Sequence, residues 1–185
     1  MNSFIETERL LLREITLEDI DGMYALDSDP EVHTYLGNNP VTDKNQIVDV
    51  INFIRQQYVD HGIGRWAIID KSTNDFIGWT GLKFVKELTN NHINYYDLGY
   101  RLRRAYWGKG IATESAIASL AYAFQKLNAD AVYAMADTAN VGSNNILQKL
   151  GMKLIETFDY NGSPSNWYKI ERETFEKRQP MGKGI

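Results

Sequence analysis

Cysteine is the first thing that the sequence lacks. Its 185 residues include no Cys and only 4 Pro. Without cysteine there can be no disulfide, no thiolate metal site and no cysteine acyl-enzyme. The three histidines, His33, His61 and His92, do not have the spacing of metal ligands. We therefore expect a protein without a metal centre.

An excess of basic charge and long apolar runs are also missing. Lys and Arg number 20 against 24 Asp and Glu, so the formal net charge of −4 weighs against a nucleic-acid partner. The longest apolar run, 116–124, is far shorter than the roughly 20 residues of a membrane span. The opening MNSFIETERL has no feature of a secretory signal. These absences predict a cytoplasmic protein with no membrane partner.

The sequence does contain regularly spaced apolar segments, enough for one core. We expect a single domain over residues 1–176 and a loose tail over 177–185. Strand patterns occur at RLLLREI, GRWAIID, DFIGWTGLKFV, HINYYDLGYRL, DAVYAMA, MKLIETFDY and NWYKIER. Helices are predicted after Thr16, over 43–60, from Gly110 to Asn128, and at VGSNNILQKLG. The predicted fold class is α/β, with about seven strands and helices on both faces.

A glycine pair joins a strand to a helix within YDLGYRLRRAYWGKGIATESAIASLAYAF. Gly108 and Gly110 stand at the helix start, although glycine costs about 1 kcal/mol in a helix relative to alanine. The first N–H groups of a helix lack partners and attract anions, and glycine lets an anion approach the main chain. Lys109 adds a cation. The turn therefore favours a pyrophosphate site, with tight packing alone as the structural alternative.

Three segments resemble the GNAT superfamily of N-acetyltransferases. WGKGIATE resembles its acetyl-CoA-binding motif, Gln/Arg-x-x-Gly-x-Gly/Ala, with Gly110 and Ala112 at the last two positions and Trp107 departing at the first. NVGSNNILQKLGM resembles the family's Asn-x-x-Ser/Ala block. TERLLLREITLEDIDGMYAL looks like the opening of the branch that includes the ribosomal-protein N-terminal acetyltransferases. The resemblance covers residues 7–172.

The resemblance implies a mixed, mostly antiparallel, twisted sheet whose fourth and fifth strands splay apart to receive the pantetheine arm of acetyl-CoA. It implies backbone contacts to this cofactor from Leu102 and Arg103, and contacts near the arm from Asn140, Ser143 and Asn144. For Asn140 an ordinary turn or cap role is the alternative. The pyrophosphate would lie against Gly108, Lys109, Gly110, Ile111, Ala112 and Thr113.

The implied reaction is acetyl transfer to a primary amine, by direct attack in a ternary complex because there is no cysteine to acylate. Many family members protonate the leaving thiolate with a tyrosine, but Leu147 stands at that position. Ser143 is the replacement candidate, with helix capping or packing as a small residue as the alternative. Asp97 is the candidate base or amine anchor, against a structural hydrogen bond or a solvated carboxylate, and Glu87 is a weaker choice.

The leading acceptor is a protein or peptide N-terminus. An α-amino group, with a pKa near 7.7–8.0, needs only a modest base or a water chain. Polyamines, aminoglycosides and amino acids stay open as acceptors. So does a module that binds acetyl-CoA without catalysis, which the missing tyrosine would explain. A nucleotide-binding domain is the third reading, although Thr113 stands where a dinucleotide fingerprint has its last glycine. The sequence leaves a monomer or a homodimer open.

Overall fold

The computed structural model describes residues 5–178. The strands within this range are β1 (Ile5–Glu6), β2 (Leu10–Glu14), β3 (Arg65–Asp70), β4 (Phe76–Val85), β5 (Tyr95–Leu102), β6 (Ala131–Asp137), β7 (Lys153–Tyr160) and β8 (Ser163–Glu171). The α-helices are α1 (Ile20–Asp27), α2 (Lys44–His61), α3 (Ile111–Gln125), α4 (Val141–Lys149) and α5 (Arg172–Arg178). Short 3-10 turns precede α1 and follow β5.

All of these strands join one sheet in the order β1-β2-β3-β4-β5-β6-β8-β7. Neighbouring strands are antiparallel except β5 and β6, which are parallel. The structure thus confirms a mixed, mostly antiparallel sheet, with eight strands in residues 5–178 where the sequence predicts about seven. The additional strand is β1, whose two residues are too few to produce an alternating pattern.

Helices cover both faces of the sheet, as alternate residues of β3 make clear. Trp66 and Ile68 belong to a core that includes α3, whereas Ala67 and Ile69 pack with α1 and α2. Since successive side chains of a strand point to opposite faces, α3 lies on one face and α1 and α2 on the other. The following sections call these the α3 face and the α1–α2 face.

Local sequence signals set the helix ends. Thr16 and Asp19 form a capping box before α1, and Asp43 does the same with Gln46 at the start of α2. Gly62 ends α2 with a φ of 67°, in the left-handed region that favours glycine. Helix α3 ends at Gln125, before the predicted end at Asn128.

The C-terminal segment is helical further than the sequence indicates. The expected tail begins at Lys177, yet Lys177 and Arg178 belong to α5, which follows β8 directly. Phe175 is buried against Phe124 of α3, with ring centroids 5.2 Å apart. Residues 179–185 of the expected tail lie outside the described residues. None of the helices described within 5–178 has the length and apolarity to cross a membrane.

Candidate active site

The parallel strands β5 and β6 diverge from a single point of contact. Their only register pair is Asp97 with Tyr133. Because the N–H of Arg103 donates to the Ile77 carbonyl of β4 (2.9 Å), the N–H and carbonyl of Leu102 point away from β4 and into the opening. The structure therefore has the splayed strands that the family resemblance implies, with Asp97 at the apex.

Most backbone groups of Leu102 and Arg103 already have partners. The Leu102 carbonyl accepts a hydrogen bond from the Trp107 indole Nε1 (2.8 Å). The Arg103 carbonyl accepts one from the Tyr106 N–H (2.9 Å), and its N–H donates to Ile77. Of these backbone groups, the Leu102 N–H is the one that remains available to a cofactor. Trp107, which departs from the motif pattern, fixes the end of the strand to the turn.

The glycine turn leaves a row of main-chain donors at the start of α3. Gly108 and Gly110 have φ values of 71° and 75°, where a side chain would strain the backbone. The first helical bond runs from the Glu114 N–H to the Gly110 carbonyl (3.0 Å). The N–H groups from Gly110 to Thr113 find no acceptor within residues 5–178. Because Ile111 and Ala112 are buried by their side chains, they can contribute only main chain to an anion site.

Two cations flank this turn. The Lys109 Nζ lies 5.4 Å from the centre of the Tyr106 ring, and the Arg103 guanidinium carbon lies 5.8 Å from the same centre. Lys109 is exposed, so its ammonium group is accessible to a solvent-borne anion. Together with the free N–H groups, these cations form a site suited to a phosphate or pyrophosphate.

Asn140 caps α4, so Ser143 does not. The Asn140 Oδ1 accepts from the Ser143 N–H at 3.0 Å. Helix capping, the alternative role for the Ser143 hydroxyl, is therefore performed by Asn140. The Asn140 Nδ2 donates to nothing within residues 5–178, which leaves one polar group of this side chain for a bound molecule.

Asn144 is a structural link rather than an open contact. Its Nδ2 donates to the carbonyls of Asp137 and Asn140, both at 2.8 Å. Its Oδ1 accepts from Asn166 Nδ2 (2.8 Å) and the Tyr168 hydroxyl (2.7 Å). The buried amide thus makes four hydrogen bonds and ties α4 to β6 and β8. Asn144 therefore has no free side-chain group for the cofactor contact that the resemblance implies.

Ser143 lies beside Tyr100 on the α3 face. The two hydroxyl oxygens are 3.1 Å apart, and the Tyr100 hydroxyl also donates to the Ser143 carbonyl (3.2 Å). Burial raises the pKa of Tyr100 to about 12, and the hydrogen bond with Ser143 works against that rise. Tyr100 therefore keeps its proton at neutral pH. Leu147, at the position of the family tyrosine, is buried in the core.

Asp97 lies on the opposite, α1–α2 face and is not a solvated carboxylate. Its Oδ2 pairs with Arg65 Nη2 at 2.5 Å, and its carbonyl accepts from Arg65 Nη1 at 2.7 Å. The side chain is buried, yet Oδ1 has no hydrogen-bond partner within residues 5–178. Burial raises the pKa of Asp97, and the Arg65 guanidinium opposes that rise. A buried carboxylate oxygen without a partner is costly unless a ligand or water satisfies it.

Further charged and aromatic side chains line the α1–α2 face. The guanidinium carbons of Arg65 and Arg101 lie 5.3 and 5.1 Å from the centre of the Trp79 ring. Arg101 Nη1 donates to Asp27 Oδ1 at 2.7 Å, and His33 Nε2 lies 3.7 Å from the same oxygen. Sequence reasoning misses the contact of Arg101 with Trp79, because strand pairing alone brings the two residues opposite each other.

The remaining candidates have ordinary surroundings. Glu87 is exposed after β4, where it lines a cavity of about 190 Å³ with Phe53 and Lys83. The rings of His61 and His92 pack against aromatic neighbours. In the part of the chain from 5 to 178, no three His, Asp or Glu side chains are grouped to hold a metal ion.

Comparison with known families gives one matching family model. Residues 9–153 match the model described as "Acetyltransferase (GNAT) domain". The matched range runs from the first long strand to the start of β7. It includes the glycine turn, the splayed strands and the α4 segment with Ser143.

Relatives with a named activity are similar over most of their length. An uncharacterised N-acetyltransferase, p20 of Bacillus licheniformis, is 34% identical over 147 residues, covering 80% of each chain. A second, YoaA of Bacillus subtilis, is 30% identical over 176 residues, covering 92% of this chain and 97% of its own.

Solved structures share the fold. The spermidine N-acetyltransferase of Vibrio cholerae, solved with CoA and spermine, has a TM-score of 0.74 at 18% identity. The match covers 92% of this chain and 99% of that one. A GNAT-family acetyltransferase of Bacillus anthracis has a TM-score of 0.75 at 24% identity, covering 92% and 99%.

Proposed function

Because this chain belongs to the GNAT family and is an N-acetyltransferase, we propose that it transfers an acetyl group from acetyl-CoA to the α-amino group of a protein or peptide. The transfer is a direct attack within a ternary complex, with no acyl-enzyme. A cytoplasmic location and a monomeric or homodimeric state remain predictions.

The observation that carries this proposal is the row of unpartnered N–H groups at the start of α3, beside the opening between β5 and β6. These groups fit a pyrophosphate, and the Leu102 N–H fits the amide-containing arm of acetyl-CoA. The proposed contacts are the Leu102 N–H, the main chain of residues 108–113, the Lys109 side chain, Asn140 Nδ2 and the Ser143 hydroxyl. Arg103 contributes its charge near the turn. Asn144 contributes by holding α4.

Two proton-handling groups stand on opposite faces of the sheet. On the α1–α2 face, Asp97 Oδ1 receives a hydrogen bond from the acceptor amine and takes the proton that the nitrogen loses as its bond to carbon forms. On the α3 face, the Ser143 hydroxyl donates a proton to the leaving thiolate, the Tyr100 hydroxyl passes its proton to the Ser143 oxygen, and Tyr100 recovers a proton from solvent. The co-substrate supplies the activated acetyl group. A thiol pKa near 8.5 makes the thiolate a fair leaving group, so a weak acid suffices.

The strength of the base favours an α-amino acceptor. Asp97 is already paired with Arg65, which limits how strongly it can attract a proton. An α-amino group with a pKa near 7.7–8.0 is partly neutral at pH 7, whereas an alkylamine near 10.4 is almost fully charged. A site whose one carboxylate is already paired with an arginine therefore suits the less basic amine.

A thiol-release assay with acetyl-CoA tests this assignment. The purified chain is offered peptides with free N-termini, the same peptides with blocked N-termini, polyamines, aminoglycosides and amino acids. We expect release at pH 7.5 with free peptides and background release with blocked ones. Exclusive turnover of polyamines or aminoglycosides would reject the acceptor class. Calorimetric binding of acetyl-CoA without release from any acceptor would identify a binding module without catalysis.

A further inference from the structure

Arg9 connects the N-terminal end of β2 to both sides of the glycine turn. Its Nη1 donates to the Lys109 carbonyl at 2.9 Å and its Nε to Glu114 Oε2 at 2.7 Å. Its own backbone N–H donates to Glu114 Oε1 at 3.1 Å. Its Nη2 lies 3.6 Å from the point where a Cβ on Gly110 would stand. One guanidinium thus spans the turn from the residue before Gly110 to the first turn of α3.

Glu114 is held as an anion beside the proposed pyrophosphate site. Burial acts to raise its pKa, but the hydrogen bonds from Thr7 and Arg9 outweigh burial and hold the pKa below its ordinary value. The Thr7 hydroxyl is 2.5 Å from Glu114 Oε1. An uncompensated carboxylate in the first turn of α3 would repel a phosphate, so the ion pair with Arg9 removes a charge that would oppose binding.

The bond to Lys109 also fixes a peptide plane. A trans peptide is planar, so the Lys109 carbonyl and the Gly110 N–H point in opposite directions. With the carbonyl held by Arg9, the Gly110 N–H points away from Arg9. The left-handed Gly110 followed by the helical Ile111 is a main-chain sequence whose N–H groups converge on an anion. No helical N–H within residues 5–178 takes the Lys109 carbonyl, so Arg9 is its partner.

We propose that Arg9 is a positioning residue for the cofactor turn: it fixes the Lys109–Gly110 peptide and neutralises Glu114, so that the main-chain N–H groups are directed at the pyrophosphate of acetyl-CoA. The inference rests on the proposed cofactor site. It assigns a role to an arginine that lies 100 residues from the glycine motif and outside every segment that sequence reasoning connects with the cofactor.

The test compares Arg9→Ala and Arg9→Lys with wild type. Calorimetry measures acetyl-CoA affinity, and the thiol-release assay measures kcat/KM with acetyl-CoA and with S-acetylpantetheine, which has the arm but no pyrophosphate. We expect Arg9→Ala to weaken acetyl-CoA binding about tenfold, because Glu114 would then repel the pyrophosphate and the Lys109–Gly110 peptide would no longer be fixed. Arg9→Lys keeps the charge without the fork that holds two partners, so it should lose affinity as well. Neither variant should change kcat/KM for S-acetylpantetheine by more than about twofold.

Arg13→Ala is the matched control. Arg13 lies on β2, the strand that Arg9 precedes, and forms a similarly close pair with Asp19 (2.8 Å), but it has no contact with the turn. It should lower stability and leave acetyl-CoA affinity unchanged. Equal acetyl-CoA affinity in wild type and both Arg9 variants would overturn the inference while leaving the proposed function intact. So would a parallel loss with S-acetylpantetheine, which indicates general damage. A wild-type chain that does not bind acetyl-CoA would reject the proposed function and this inference with it.

Discussion

Ser143 and Tyr100 have to be considered together, because their hydroxyl groups share one hydrogen bond. Ser143 is the group on α4, and Tyr100 reaches it from β5 across the opening between the strands. With its pKa raised to about 12 by burial, Tyr100 is a proton donor at every pH at which the protein would be assayed. In the proposed mechanism Tyr100 passes its proton to the serine, and the phenolate that this leaves recovers a proton from solvent.

Ser143→Ala should lower kcat by about a hundredfold, at the low end of general acid catalysis, because a thiolate leaves without much help. The affinity for acetyl-CoA measured by calorimetry should change by less than about twofold. Val141→Ala, an exposed change on the same helix, is the control and should leave both quantities unaltered. Activity of Ser143→Ala within about twofold of wild type would remove the serine from the mechanism.

The ionisation of Asp97 should contribute to the acidic limb of the pH profile of kcat/KM. The ionised carboxylate is the active form, so kcat/KM should rise as the pH rises through the pKa of Asp97, which burial places above the usual range for an aspartate. Asp97→Asn should lower kcat/KM by about 10²-fold and remove the part of that limb that comes from the carboxylate, leaving the part that comes from protonation of the acceptor amine. Glu87→Gln, in the exposed loop, should retain the full profile. An unchanged acidic limb in Asp97→Asn would assign the base to another group.

Asp97 and Ser143 could be selected as candidates from sequence, because the alternation of β5 and the family motif point to them. Their partners could not. Arg65 is 32 residues from Asp97 and Tyr100 is 43 residues from Ser143, and only the pairing of strands brings them together. A sequence gives the face on which Tyr100 lies but not the side chain that it meets.

At the scale of elements, the long strands and helices could be predicted because each is long enough to show its periodicity or carries its own cap. The capping boxes at Thr16 and Asp43 and the glycine at the end of α2 are local signals that the structure contains. Strand β1 and helix α5 are too short to show a period. Phe175 is the one buried residue of α5, and a single apolar position does not distinguish a helix from a tail.

Gly110→Glu should abolish measurable acetyl-CoA binding, since it adds a negative side chain where the anion would meet the start of α3. Gly110 has a φ of 75°, so part of any effect is backbone strain. Gly62→Glu is the matched control, because Gly62 has a φ of 67° and open space around it, away from the turn. Calorimetry should find normal affinity in Gly62→Glu. Retained affinity in a folded Gly110→Glu variant would contradict the cofactor site.

On the scale of the whole molecule, the sheet separates the two groups that we propose to handle protons. The α3 face carries the glycine turn, Ser143 and Tyr100, and the α1–α2 face carries Asp97 and Arg65. The end of α1 and the loop after it are tied to β5 and to the turn that follows it, because Arg101 pairs with Asp27 and Arg104 pairs with Glu31.

This separation predicts which variants act independently. Asp97 lies on β5, three strands from the strand that Arg9 precedes, which corresponds to about 14 Å at the usual strand spacing. The two residues share no partner, so the losses in kcat/KM from Arg9→Ala and Asp97→Asn should multiply in the double variant to within about twofold.

Ser143→Ala and Tyr100→Phe should behave in the opposite way, because each removes the same hydroxyl contact. Their double variant should lose about as much activity as the more damaging single change, as expected of residues that act as one unit. Both cycles are measured as kcat/KM for acetyl-CoA, with one acceptor and at a fixed pH. If the losses in activity from Ser143→Ala and Tyr100→Phe multiply, the Tyr100 hydroxyl does not supply a proton to Ser143. Strong coupling between Arg9 and Asp97 would mean that the sheet does not keep cofactor binding and amine activation apart.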